Sequence, residues 1–136
     1  MNKILVPVDG SEQSCKAARW AAETGAEVTL LHVHVLDSAE TMGLAHLSPT
    51  RISEIEEEHA RPNFDKAREA MGDRAPEATI CAIGFAGDEI VAQAREGEFD
   101  HIVMGSRGRS PLRELMLGSV SLHVLHHAHC PVTVIR

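Results

Sequence analysis

Short apolar runs alternate with segments of helical character along this chain, and that order restricts the fold more than any other feature. The runs are residues 4–8, 28–36, 78–83, 99–104 and 132–135. Residues 4–8 form a continuous apolar stretch, the pattern of a strand buried on both faces, and the other runs read as further strands. Between them lie helix signals. Ser11 can cap a helix with Glu12 in its first turn, running to about Thr24 and stopping at Gly25. Cys15, Ala18 and Ala22 share one face of it, small enough to sit close to a sheet. Ser48-Pro49 opens the next helix as cap and first residue. Ile52, Ile55 and His59 form its apolar stripe and Glu56, Glu57 and Glu58 a solvated face; Pro62 is expected to kink or break it. Phe64, Ala67 and Met71 continue the apolar side to a stop at Gly72-Asp73. Further helices are expected over residues 88–95 and 119–127, and Pro131 biases Cys130 to an extended conformation. Residues 37–47, with Met42, Leu44 and Leu47, read as a loop, and residues 112–117 as a helical turn within another. Strand–helix order repeated and closed by a final strand predicts a parallel sheet with helices on both faces and right-handed crossovers. The 136 residues form one domain, 1–136.

Aromatic residues are 3% of the chain, so the core must be aliphatic. A net charge of −7 argues against general nucleic-acid binding, which depends on Lys and Arg neutralising phosphates. Cys15, Cys81 and Cys130 are odd in number and widely spaced, which reads as free, buried thiols in a reducing compartment. The apolar stretch before Asp9 is too short for a signal sequence, and no run reaches the ~18 apolar residues of a membrane span. A cytoplasmic protein is expected.

The fourth run leads into Gly105-Ser106-Arg107-Gly108, then nine residues, then Gly118-Ser119-Val120-Ser121. Glycines let the backbone turn sharply and let another group come close. Successive N–H groups in such turns form anion nests, and a following helix N-terminus adds unpaired donors and a positive dipole end. The pattern reads as a phosphate cradle built mostly of backbone. Arg107, Arg109 and Arg113 add cations to it; Arg109 and Arg113 belong either to phosphate or to the surface. In open α/β sheets ligands bind beyond the strand carboxyl ends, where strand order reverses. If the first and fourth strands are neighbours there, Asp9 faces the glycine loop across one crevice. A carboxylate there suits a sugar hydroxyl or a base amino group, or it merely caps the first helix.

The residues Pro7-Val8-Asp9-Gly10-Ser11, His32-Val33, the Gly-x2-Gly-x9-Gly-Ser spacing and His129-Cys130-Pro131-Val132 together resemble the universal stress protein family along essentially the whole chain. The resemblance implies a five-stranded Rossmann-like parallel sheet of order 3-2-1-4-5, similar to the adenine nucleotide alpha-hydrolases. It implies the ATP-binding branch, with ADP or AMP as alternates. Pro7, Val8 and Asp9 would then meet the adenosine end and the Val33 backbone would meet adenine. Met104, Gly105, Arg107 and Gly108 would line ribose and phosphates, and Gly118, Ser119, Val120 and Ser121 would hold the outer phosphates. Mg²⁺ or Mn²⁺ would be carried by phosphate oxygens and water. The resemblance also implies a homodimer through the last strand, whose apolar edge needs covering, and a nucleotide-dependent regulator in the stress response with an unidentified protein partner. Residues 37–62 vary among relatives, so a lid role for them stays open.

Other readings have less behind them. His123 and His127 are spaced like paired metal ligands, with His126 and His129 nearby, but no H-E-x-x-H frame or cysteine ligand spacing accompanies them. His32 and His34 read as core or crevice-wall residues. Ser119 and Ser121 are conceivable phosphoryl acceptors with Arg107 as charge stabiliser. No general base and no Walker pattern is present, so slow hydrolysis or autophosphorylation is the most that enzyme chemistry would amount to. The acidic cluster of a response-regulator receiver and the serine–glycine–glycine loop of an ATP pyrophosphatase are missing. A dimeric adaptor without nucleotide is the remaining alternative.

Overall fold

The computed structural model describes residues 3–36, 47–106 and 117–136. The expected turn at 112–117, apart from Leu117, and most of the 37–47 loop, with Met42 and Leu44, lie outside the described residues. In chain order the elements are β1 (Lys3–Pro7), α1 (Glu12–Glu23), β2 (Glu27–His34), α2 (Pro49–Ile55), a π-helical stretch (Glu56–Ala60), α3 (Arg61–Met71), β3 (Ala78–Ile83), α4 (Ala86–Glu96), β4 (His101–Gly105), α5 (Ser119–His127) and β5 (Val132–Ile135). The strands form one sheet of order β3-β2-β1-β4-β5, parallel throughout, as expected.

Period-two alternation sorts the strands' side chains into two cores. Ile4, Val6, Val8, Val28, Leu30 and Val103 meet α1 and α3 through Ala17, Ala18, Ala21, Phe64, Ala67 and Met71. Leu5, Leu31, Ile102 and Met104 face the other way, onto Ile90 and Ala94 of α4 and Val124 of α5. Leu5, Leu30, Leu31 and Ile102 are wholly buried, each contributing about 1.5–3 kcal/mol. The alanines of α1 let that helix lie against β1 and β4. Ser11 caps α1, accepting from the Ser14 N–H at 3.2 Å.

Three boundaries differ from the sequence reading, each for a local reason. Pro62 does not break its helix. The turn before it widens into the π-helical stretch, in which the Arg61 N–H donates to Glu56 O, and Pro62 then occupies the first turn of α3. A proline there has no intrahelical N–H to lose. Phe99 lies outside β4: Glu98 adopts φ +54°, and the Phe99 N–H returns to Ala94 O at 2.9 Å, closing α4. β2 ends at His34, where His34 O takes the Gly84 N–H (3.0 Å), and Val35 beyond it is exposed.

Candidate functional site

The first wall of the site is the β1–α1 junction. Val8 extends the ladder past β1, its N–H donating to Leu31 O at 2.8 Å, and its side chain is core. Gly10 then takes φ +82°, a left-handed conformation that glycine adopts without steric cost. Asp9 Oδ1 accepts the Ser11 N–H at 2.9 Å, and Ser14 Oγ donates to Ser11 O at 2.9 Å. Helix capping therefore belongs to Ser11, while Asp9 stiffens the turn ahead of it. The start of α1 is closed by its own side chain.

The second wall is the end of β4 with the start of α5. β1 and β4 are adjacent, pairing Ile4 with His101 and Leu5 with Ile102, so the order reverses between them and both junctions stand side by side at the carboxyl edge of the sheet. Gly105 lets α1 approach: a Cβ built there would lie 3.0 Å from Gln13 Cβ, 3.1 Å from Gln13 C and 3.2 Å from Ser14 N. Ser106, 2% exposed, follows it. Its N–H donates to Ile135 O (2.7 Å), its carbonyl accepts the Gly118 N–H (2.8 Å), and its hydroxyl donates to Gln13 Oε1 (2.9 Å). Ser121 Oγ reaches Gly105 O and Ser106 O, each at 3.0 Å.

Among the described residues no side chain caps α5. Gly118 stands at its cap position with φ −69° and ψ 161°. Helix geometry leaves the N–H groups of Ser119, Val120 and Ser121 without carbonyls one turn back. An uncapped helix start thus stands beside a capped one, across the sheet's switch point. Its donors and dipole end favour an anion.

The other expected residues divide by what they can present. Pro7 and Val33 are half-buried, while the Val8 and Met104 side chains lie in the two cores. Ser119 is exposed and Val120 half-buried. Arg107 and Gly108, with Arg109 and Arg113, lie outside the described residues. Sequence reasoning missed Gln13 and Ser106, which are 93 positions apart. Nothing in either one's neighbourhood signals the other.

Behind β2, on the α1/α3 side, sits a histidine group. His32 is buried, its Nδ1 3.0 Å from Asn63 Nδ2, with the Phe64 ring edge-on at 6.4 Å. His34 lies 6.4 Å from His32 and 4.9 Å from His59, between ring centres. Burial lowers the His32 pKa below 6.5, helped by His34 and His59; a hydrogen bond with the Val8 backbone and the Asp9 charge act the other way. The folded protein therefore resists a proton that the unfolded chain takes up near pH 6.5. Stability is fully present above that pH and is lost as pH falls from it through the lower folded value. Thermal melts from pH 7.5 to 5 are expected to show a fall in Tm over this window that is shallower in His32→Gln.

His123 and His127, spaced like metal ligands, have structural partners. His123 Nε2 lies 2.9 Å from Asp88 Oδ1, tying α5 to α4. Its ring stacks on His127 at 4.3 Å, and His127 Nδ1 bonds His123 O at 2.8 Å. Among the described residues no group of three or more His, Cys, Asp or Glu is placed to hold a metal. Cys15, Cys81 and Cys130 are free thiols, half-buried rather than enclosed as expected, and burial pushes each pKa up. Among the described residues no helix is long and apolar enough to cross a membrane.

Comparison with known proteins places this geometry. The universal stress protein family profile matches residues 1–136. Universal stress protein YxiE of Bacillus subtilis is 37% identical, with 99% of each chain covered. The solved structure of MJ0577, a universal stress protein of Methanocaldococcus jannaschii, superposes with a TM-score of 0.80 at 29% identity, covering 98% of this chain and 94% of that one. A universal stress protein family member from Arabidopsis thaliana, solved with AMP bound, shares the fold at 24% identity and a TM-score of 0.60, covering 99% and 91%.

Proposed function

Since this chain belongs to the universal stress protein family, we propose that it binds an adenine nucleotide, ATP foremost, and acts as a nucleotide-dependent regulator in the stress response. The observation that carries this reading is the uncapped start of α5 beside the turn of Asp9 at the switch between β1 and β4. A triphosphate fits the first and an adenosine the second. The AMP held by the Arabidopsis protein of the same fold supports the class of ligand.

In this reading Pro7, Val8 and Asp9 meet the adenosine end and the Val33 backbone meets the base. Met104, Gly105, Arg107 and Gly108 line ribose and phosphates. The main-chain N–H groups of Ser119, Val120 and Ser121 hold the outer phosphates, with the Ser119 hydroxyl beside them. The Ser121 hydroxyl, committed to two carbonyls, serves the cradle by shaping it. A Mg²⁺ or Mn²⁺ ion would ride on phosphate oxygens and water, neutralising charge the backbone does not. β5 is a sheet edge, and we place the homodimer contact there, in a cytoplasmic protein.

Bound ligand stabilises the folded state by mass action, by about 2.7 kcal/mol at a hundred times Kd. Melts with ATP, ADP, AMP and cyclic AMP are expected to show the largest rise in Tm with ATP. No rise with any of them at millimolar concentration would overturn the reading and leave the adaptor. ATP turnover within seconds would make the protein an enzyme instead.

A further inference from the structure

We infer that Ser106 is the positioning residue of the nucleotide site, setting the spacing between its two walls without touching the ligand; the inference rests on the nucleotide reading above. Each polar group of Ser106 is engaged. Its N–H is spent on Ile135 O at the end of β5, its carbonyl on the Gly118 N–H and the Ser121 hydroxyl, and its own hydroxyl on Gln13 Oε1. These partners belong to the edge strand, the phosphate-side helix α5 and the first turn of α1. One residue, 2% exposed and out of reach of exchanging water, therefore references three elements to one point.

The Ser106–Gln13 bond is the only one of these that runs by side chains alone, so it can be removed without altering the main chain. A hydroxyl has one proton, and among the described residues Gln13 Oε1 is where this buried one gives it. Without that bond, α1 and the Asp9 turn lose a directed tie to the end of β4, and the adenosine wall is less closely fixed relative to the start of α5. A ligand that spans both walls must feel this more than one that occupies one of them. ATP spans both; AMP ends near β4.

Calorimetric titration of ATP and AMP into Ser106→Ala, Ser106→Thr, Gln13→Met and the Ala–Met double variant tests the inference, well below each variant's Tm. Expected is a loss of ATP affinity of about tenfold in Ser106→Ala and in Gln13→Met, a loss under threefold for AMP, and a double variant no worse than either single. Ser106→Thr restores ATP affinity because it restores the hydroxyl. A purely packing role predicts the reverse order, since threonine crowds a closed site that alanine fits. Ser106→Ala within twofold of wild type for ATP, threonine no better than alanine, or additive losses would each overturn the inference while wild type still binds. Absence of ATP, ADP and AMP binding to wild type would instead take down the nucleotide reading, and this inference with it. If Ser106→Ala does not fold, Gln13→Met, at a half-buried helix position, decides alone.

Discussion

Gly105→Val is expected to be the most damaging single substitution at the site, lowering stability by about 3 kcal/mol. The reason is close approach. The added Cβ would stand 3.0–3.2 Å from Gln13 Cβ, Gln13 C and Ser14 N, and two of these are main-chain atoms that no rotamer change can move. Relief requires α1 to lift from β4. That opens the contact made by the alanines beneath it and pulls Gln13 away from Ser106. At roughly 4 °C per kcal/mol for a chain of this size, Tm should fall by about 12 °C. Gly105→Ala should lose about half as much. Circular dichroism melts check both, and a valine variant as stable as wild type would mean that α1 does not bear on β4 as described.

Gly118→Val separates the two ends of the ligand. Its φ of −69° and ψ of 161° suit any residue, so the backbone accepts valine. The position is buried, and the branched side chain must fill space at the uncapped start of α5. ATP affinity is expected to fall by at least tenfold while AMP affinity changes by less than threefold, because in the proposed site only the outer phosphates reach that helix. Asp9→Ala should weaken both alike. It also removes the acceptor for the Ser11 N–H, at a cost of about 1 kcal/mol of stability. Asp9→Asn keeps that bond, so its binding loss reports the carboxylate's role toward the ligand alone. Calorimetry with both nucleotides reads the pattern; equal losses for ATP and AMP in Gly118→Val would remove the outer phosphates from α5.

The elements and the turns at the ends of β1 and β4 were legible because their signals are local. Ser11 and Ser48 act within their own helix starts, and each caps as expected. Apolar runs reported strands because strands buried on both faces have no polar side to interrupt them. The break expected at Pro62 does not occur because the turn before it widens, with Ile55, Ala60 and Phe64 buried on either side. The Ser121 hydroxyl was read toward a ligand because a serine at a helix start looks the same whether it faces solvent or two carbonyls.

By itself the amino-acid order determined the elements, their strand–helix alternation and hence the class of fold, and the turns between them, since each is signalled by residues a few positions apart. Tertiary structure alone decided which polar groups remain available at those turns. Ser106 and Gln13, 93 residues apart, meet because β4 is inserted beside β1 and α1 packs across both. A hydrogen bond depends on position in space, and the chain folds through many residues before those two positions are set.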